Sequence, residues 1–307
     1  LTFNQDGRAR LTVSSMKFTI TQQRMTAENA SVALYVGEED SITNNGILVR
    51  YLPDEKQVVL VNDSKRNFYS PYNDTYHNLD IYSESITWRM EQGDLLFSNL
   101  TSSSNASTTS FESSNYYTYK KYREIKGIDQ KSPVERVYEY ADGHGSVFSA
   151  QGLSNAIGLD MSQTLLLIHT LSKHGLVTFN EGTNRVTIKD KLVDYQKAST
   201  KAKGFDYDAL AMESTTAGTN ARLNFADNAL TIRGVAPFVV SDSQSVMIYP
   251  DSLTGRQVVV GRNRTLHFSG RIDVGKFMFT VKDCDFSYEN FSFNMPNILR
   301  MEFYVPD

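Results

Sequence analysis

Cysteine is nearly absent from this sequence, which has Cys284 alone among its 307 residues. A single thiol cannot form a disulfide within the chain, and a metal centre built on cysteines needs several of them, so both are excluded. The lone cysteine does not assign the chain to a reducing or an oxidising compartment. Runs of about 18 consecutive apolar residues are also missing, so the sequence predicts no membrane-spanning helix.

Cationic charge is not in surplus either. The chain has 31 Lys and Arg against 35 Asp and Glu, a net charge of −4. It therefore has no strong positive field to favour nucleic acids or other anionic partners. The Gly-x-Ser-x-Gly elbow, the phosphate loop, the dinucleotide fingerprint and the His-Glu-x-x-His motif are absent. These absences disfavour an enzyme, and the sequence predicts no cofactor and no metal.

Short segments of alternating apolar and polar residues dominate what is present. They include residues 11–13, 31–36, 47–52, 57–61, 238–240, 246–249, 276–281 and 300–305, with turn residues between them. This pattern is typical of strands that have one buried face. Without helices between successive strands, a doubly wound parallel fold is excluded. We predict a mainly β fold, namely a β-solenoid, a β-taco or a jelly-roll-like stack of short strands.

Residues 147–190 form an island of helical pattern in this β-rich chain. Ser149 is a candidate N-cap and Gly158 a stop signal for a first helix, and Gly175 closes a second helix over residues 161–174. Alternating segments 176–179 and 185–188 then flank a loop with the composition of a hairpin turn. Helix, turn, helix and hairpin is the order of a winged-helix module.

DNA binding is the obvious function of such a module, and the second helix can be examined for it. Its apolar face holds Met161, Leu165, Leu167, Ile168 and Leu171, and its opposite face holds Ser162, Gln163, Leu166, His169, Thr170, Lys173 and His174. A helix that reads DNA needs several cations or amides. One lysine and one glutamine favour a packing or spacer role, with a protein-docking surface as the alternative. The lysines of residues 189–203 are the main argument for DNA.

Three regions follow from these patterns: a β-rich region over residues 1–126, a winged-helix-like module over residues 133–200, and a second β-rich region over residues 203–307. The Ser- and Thr-rich stretch 101–110 predicts a surface loop or a poorly ordered connection. Because the chain begins with Leu1 rather than Met, we expect it to come from a longer or processed precursor.

Five stretches, residues 70–82, 141–151, 161–175, 234–244 and 270–296, carry a resemblance. They resemble a family of very large exported proteins of Bacteroidetes whose function is not established. The resemblance implies a location in the periplasm or at the cell surface, within a longer protein, and it assigns no catalytic residue. It also implies a test for O-glycosylation, since Asp40-Ser41-Ile42 and Asp251-Ser252-Leu253 are similar to the acceptor pattern of such proteins.

Two clusters are candidate sites. Tyr76, His77 and Asp80 form a polar group in an aromatic, turn-rich segment, either as a hydrogen-bond network that orders the loop or as ligands. The second candidate is an apolar groove lined by Phe277, Phe279, Phe286, Phe291 and Phe293. Elsewhere, His144 between two glycines fits a turn before a helix. The acidic group around residues 283–289 lacks the glycine and spacing of a calcium loop.

We therefore predict a non-enzymatic segment of an exported cell-envelope protein that acts as a scaffold or a protein-interaction surface. Its partner would be another protein or the remainder of a larger chain. The alternative is a β-groove that carries lipid or glycan across the envelope. A glycan-active enzyme and a DNA-binding module are less favoured. The 17 tyrosines could stack on sugars, although tyrosine is also an ordinary residue of half-buried strands.

Overall fold

The structure is a computed structural model, and it describes residues 1–5, 7–62, 70–99, 106–128, 130–200, 208–241, 243 and 245–304. Strands predominate in this part of the chain, which confirms the mainly β prediction. The named ladders are antiparallel, so the exclusion of a doubly wound parallel fold is confirmed. No helix in the described ranges is long and apolar enough to cross a bilayer.

The elements follow one another along the chain in three groups. The first group is β1 (Thr2–Gln5), β2 (Arg8–Ser14), β3 (Phe18–Ile20), β4 (Met25–Val36), β5 (Asp40–Leu52), β6 (Gln57–Asn62), β7 (Tyr72–Asp74), β8 (Leu79–Tyr82), β9 (Ser85–Arg89), β10 (Asp94–Ser98) and β11 (Ser107–Ser113). The second is α1 (Tyr119–Lys126), α2 (Pro133–His144), β12 (Val147–Ser149), α3 (Ala150–Ile157), α4 (Met161–Lys173), β13 (Val177–Asn180), β14 (Arg185–Ile188) and α5 (Asp190–Ser199). The third is β15 (Ala211–Thr216), β16 (Ala221–Asn224), β17 (Leu230–Ile232), β18 (Phe238–Ser241), β19 (Val246–Pro250), β20 (Val258–Val260), β21 (Leu266–Val274), β22 (Phe277–Ser287), β23 (Ser292–Asn294) and β24 (Asn297–Phe303), with 3-10 turns at Ser252–Thr254 and Arg262–Arg264.

The longest strands change partners partway along their length. Strand β5 pairs with β7 near its start and with β6 in its second half, and β21 pairs first with β20 and then with β19. Register shifts accompany the changes, as between Phe268 and Gly270 on β21. A bulge bends a strand and increases its twist. The sheet therefore bends where its long strands change partners.

Gly270 shows why one of these bends requires glycine. Its φ is 155°, and a Cβ at this position would lie 2.2 Å from the backbone oxygen of Tyr249. Such a distance is far inside van der Waals contact, so any side chain would push β21 away from β19. The close approach of the two backbones therefore depends on the absence of a side chain.

The strands of the large sheet share one hydrophobic core. Its largest fully buried side chains include Trp88, Tyr72, Phe97, Phe111 and Phe286, which come from β9, β7, β10, β11 and β22. Trp88 meets Phe3 and Phe225 edge to face, with ring centroids 6.3 and 6.5 Å apart. Apolar residues at alternate positions along the strands supply this core, as the period of two predicts.

The helices form a unit with a second core of their own, containing Val137, Leu153, Ile168, Leu171 and Val186. Strands β12, β14 and β13 make a small antiparallel sheet at its side. As the sequence predicts, the Ser149 hydroxyl accepts a hydrogen bond from the N–H of Gly152 at the start of α3. Asp160 and Gln163 form a capping box on α4. We call α1–α5 with β12–β14 the helical unit.

The helical unit lies between two strands that are neighbours in the large sheet. Strand β11 precedes it and β15 follows it, and the two pair antiparallel from Ser107 opposite Thr216 to Glu112 opposite Ala211. The chain thus leaves the sheet and returns to it at adjacent positions.

One prediction about this region is wrong, and one helix was not predicted. Residues 107–110 of the stretch expected to be a loop belong to β11, while residues 101–105 lie outside the described part of the chain. Ser107 and Thr109 point inward, and the Ser107 hydroxyl donates to the side chain of Asn220, so small polar residues fit a buried strand there. Helix α1 was not predicted, although Thr118 caps it by accepting from the N–H of Lys121.

Candidate functional site at the joint between the sheet and the helical unit

Two carboxylates stand opposite each other where the sheet meets the helical unit. Asp80 of β8 is the register partner of Glu112 of β11, and their neighbours Ile81 and Phe111 point the other way into the core. Like charges directly opposite on adjacent strands repel each other. A cation from elsewhere in the fold is therefore needed to stabilise this pair.

The helical unit supplies three such cations. The Lys191 Nζ lies 2.6 Å from Oδ2 of Asp80 and 3.8 Å from Oε2 of Glu112. The Lys189 Nζ lies 3.3 Å from Oδ1 of Asp80, and the Lys121 Nζ lies 2.6 Å from Oε1 of Glu112. We call these five side chains the joint network. It links β8 and β11 of the sheet to α1 and to the start of α5.

Burial gives these contacts their importance. Lys191 is 3% exposed and Asp80 is 0% exposed. Burial alone would raise the pKa of Asp80, but the charges of Lys191 and Lys189, with hydrogen bonds from Lys191 and Asn73, keep the pKa of that carboxyl below its usual value. A buried ion pair adds little net stability, whereas removing one partner leaves a costly unpaired charge. Loss of either Lys191 or Asp80 alone would therefore destabilise the contact between the sheet and the helical unit.

The surroundings of the network are poorly solvated. Burial lowers the pKa of Lys121 and lowers the pKa of His174 to about 4, so the imidazole is neutral at pH 7. Burial also raises the pKa of Tyr82 well above its usual value, and the nearby Glu112 and Asp80 add to the effect. Charge is therefore stable here only on the groups that have a partner.

Gly175, at the turn after α4, completes the joint. Its φ is +70°, and a Cβ there would lie 2.7 Å from Oδ2 of Asp80 and 3.1 Å from Cγ of Pro71. The end of α4 can pass this close to the carboxylate only without a side chain. The stop signal read from the sequence therefore also serves the contact between helix and sheet.

A polar cavity of about 470 Å³ adjoins the network. Its lining includes Asn73, Thr75, Asn78, Asn115 and Arg264, together with Lys189 and Lys191. These two lysines pair with Asp80, and the Arg264 guanidinium pairs with Asp208. The cavity therefore offers amide and hydroxyl groups for hydrogen bonding, while its cations are already committed to carboxylates.

The predicted cluster of Tyr76, His77 and Asp80 is divided in the structure. His77 is buried, with Nδ1 2.6 Å from Oδ2 of Asp74 and Nε2 2.9 Å from the backbone oxygen of Asn228. Tyr76 packs edge to face against His77 at 4.9 Å. Asp80 instead belongs to the joint network. Both ring nitrogens of His77 have oxygen partners, so this histidine holds the loop in place.

The five phenylalanines of the predicted groove lie along one hairpin but in two groups. Phe286 is buried and meets Phe291 and Phe293, with ring centroids 5.5 and 4.6 Å away. Phe277 and Phe279, 6.3 Å apart, lie at the other end of β22. The first group closes a core, and the second group is partly exposed.

The two candidate glycosylation sites differ in exposure. Ser252 is exposed in a 3-10 turn that Asp251 caps by accepting from the N–H of Leu253. Ser41 is half-buried on β5, where its backbone oxygen accepts from the N–H of Thr75. An attached sugar would find space at Ser252.

Metal-binding groups are not apparent in the described ranges, where no cluster of three or more His, Cys, Asp or Glu side chains could hold an ion. Cys284 is buried, and burial raises the pKa of its thiol to about 12. Asp285 pairs with His267, whose Nδ1 lies 2.8 Å from Oδ1 of the carboxylate.

Glu112, Lys121 and Lys191 were not predicted as site residues. Sequence reasoning placed Lys189 and Lys191 in a basic tail, yet Lys191 is buried. One signal was present: Lys191 lies in the first turn of α5, where the positive end of the helix dipole disfavours a cation. A lysine at that position indicates a carboxylate partner outside the helix.

Comparisons of the chain with protein-family models, with curated proteins and with solved structures found no match.

Proposed function

We propose that this chain is a non-enzymatic structural or binding segment in which the sheet carries the helical unit in a fixed position, as a scaffold or protein-interaction surface. The pairing of buried Lys191 with Asp80 is the observation that supports this most directly. Its charges neutralise one another instead of facing a substrate. An arrangement of this kind is suited to holding two parts together.

A test follows from the single tryptophan, Trp88, which lies in the core of the sheet. Its fluorescence reports unfolding of the sheet, while circular dichroism at 222 nm reports mainly the helices. In the unmodified protein both signals should change at the same urea concentration. In the double variant Asp80→Asn with Lys191→Met the helical signal should be lost first. Separate transitions already in the unmodified protein would contradict the fixed arrangement.

For the finer architecture, we propose that the helical unit is winged-helix-like and that the large sheet is a β-taco or jelly-roll-like stack. The order α2, β12, α3, α4, β13, β14 supports the first proposal. Antiparallel ladders favour the second over a β-solenoid, whose strands are parallel. On α4 the exposed residues are Ser162, Gln163, Leu166 and Lys173. This face suits packing against protein more than DNA, and a gel shift at low salt should show no complex.

For location, we propose an exported segment of a Bacteroidetes envelope protein, which the resemblance of residues 70–82 and 270–296 supports. Fractionation of the cells that produce the protein, followed by detection with an antibody, tests it. Recovery in the envelope or periplasmic fraction is expected, and recovery with cytoplasmic markers would contradict it.

The alternative proposal is a groove for lipid or glycan. Partly exposed Phe277, with Met301 and Phe303 on the adjacent strand, is the observation that favours it. Lipid extraction from the purified protein, followed by mass spectrometry, should then reveal a bound lipid. A spectrum of protein alone would count against a lipid carrier, and failure to bind a panel of polysaccharides would count against a glycan carrier.

A further inference from the structure

Strand β24 lies beside β22 in the large sheet. Within the described part of the chain it pairs with β22 alone. Leu299, Met301 and Phe303 on this edge are 68%, 57% and 55% exposed. Strand β24 has a register shift at Leu299 and two charged residues, Arg300 and Glu302, yet its apolar side chains stay exposed. An exposed apolar edge strand readily pairs with another chain.

The apolar side of this edge is continuous with the core. Phe303 lies opposite Phe277 and Met301 opposite Phe279. After the register shift at Leu299, Ile298 lies opposite Val281, which is buried in the core. Phe277 and Phe303 are in contact, with ring centroids 5.0 Å apart. An apolar band therefore runs from the interior to the open edge, and a further strand on β24 would cover it.

The other side of the edge carries charge. Arg300 and Glu302 lie opposite Thr280 and Met278, and the Arg300 guanidinium donates to Oε1 of Glu302 at 2.8 Å. In an antiparallel pair, residues directly opposite each other lie on the same face. This rule restricts which registers a second copy of the strand could adopt.

A register centred on Met301 satisfies both faces. It places Arg300 of each copy opposite Glu302 of the other, and Met301 of one copy opposite Met301 of the other. Centring on Arg300 would bring two arginines together, and centring on Glu302 would bring two glutamates together. A register centred between residues would place apolar side chains opposite charged ones.

We propose that β24 is a self-association edge, at which two copies of this chain pair antiparallel about Met301 to form a symmetric dimer. The occupant is a second copy because the charges of the strand complement themselves. A two-fold interface uses the same patch on both partners, as this register does. The inference goes beyond the joint network and does not depend on it.

Sedimentation velocity over a range of protein concentrations tests the proposal, with the full chain. The unmodified protein should reach twice the mass of the monomer. Arg300→Glu or Glu302→Arg should each weaken the dimer roughly tenfold or more, because two attractive pairs become repulsive. The double variant Arg300→Glu with Glu302→Arg should restore the dimer, since the charges are again opposite.

Lys56→Glu is the matched control, since Lys56 forms an exposed pair with Glu91 elsewhere on the sheet. It should leave the dimer unchanged, and circular dichroism should show all variants folded. A monomer at every concentration, open-ended growth beyond the dimer, or failure of the double variant to recover would each overturn the proposal. The first two outcomes exclude a symmetric dimer, and the third excludes this register.

Discussion

Replacing Lys191 by methionine tests the joint network most directly. Methionine keeps most of the volume of the lysine stem, so little cavity is created. The change removes a cation whose Nζ lies 2.6 Å from Oδ2 of the fully buried Asp80. Removing one partner of a buried ion pair typically costs about 3–5 kcal/mol.

Two remaining contacts reduce this cost. Lys189 stays 3.3 Å from Oδ1 of Asp80, and the side-chain amide of Asn73 still donates to the same oxygen at 3.1 Å. We therefore expect a loss near the lower limit, about 3 kcal/mol of unfolding free energy. Adding Asp80→Asn removes the orphaned charge, so the double variant should cost less than the sum of the single changes by about 1–3 kcal/mol.

Urea is the suitable denaturant because, unlike guanidinium, it does not screen charges. Trp88 fluorescence gives the midpoint and slope. Lys56→Met, at an exposed pair with Glu91, is the control and should leave the midpoint unchanged. A loss below about 1 kcal/mol for Lys191→Met, or strict additivity with Asp80→Asn, would refute the structural role of the network.

Two further predictions concern pH and backbone contact. Burial lowers the pKa of His174 from 6.5 to about 4, so the unfolded chain takes up this proton before the folded chain does as the pH falls. The free energy of unfolding should therefore be full above about pH 6.5 and decline towards pH 4, by at most about 1.4 kcal/mol per pH unit. His174→Asn should flatten that decline in urea titrations. An unchanged slope in the variant would contradict the assignment. Gly270→Ala should destabilise the fold by about 2–3 kcal/mol, because the added Cβ would collide with the backbone oxygen of Tyr249. Gly275 also has a positive φ, but a Cβ there would meet no atom within 4 Å, so Gly275→Ala should cost only about 1 kcal/mol. Thermal unfolding of the two variants measures both losses. Equal losses at both glycines would indicate that φ, not the contact, sets the cost.

Local signals predicted much of the fold. The serine at position 149 caps α3, Gly175 follows α4, and the alternating segments around residues 180–184 form the β13–β14 hairpin. Each of these depends on residues close together in sequence, where capping and alternation act. The loop prediction for residues 107–110 was wrong because serine and threonine also fit a buried strand when a residue distant in sequence, such as Asn220, forms hydrogen bonds with their side chains.

The joint network could not be predicted from local sequence signals, because its residues are far apart in the chain. Asp80 and Glu112 become neighbours through strand pairing, and Lys191 reaches Asp80 from 111 residues away in the chain. The polar cluster prediction did include Asp80, since its segment is rich in polar and aromatic residues. That prediction could not identify the lysine partners of Asp80, because strand register and contacts between distant elements are tertiary properties.

The ends of residues 114–210 meet in the β11–β15 ladder, so this long stretch is topologically the tip of a hairpin. The helical unit is thus an insertion in the sheet, at a position where a turn of about 2–5 residues could join the two strands. Deleting the helical unit would leave Asp80 and Glu112 opposite each other without the lysines that now pair with them. Any other domain inserted at this position would have to supply a cation near Asp80 and Glu112, or these two residues would have to be replaced by uncharged ones.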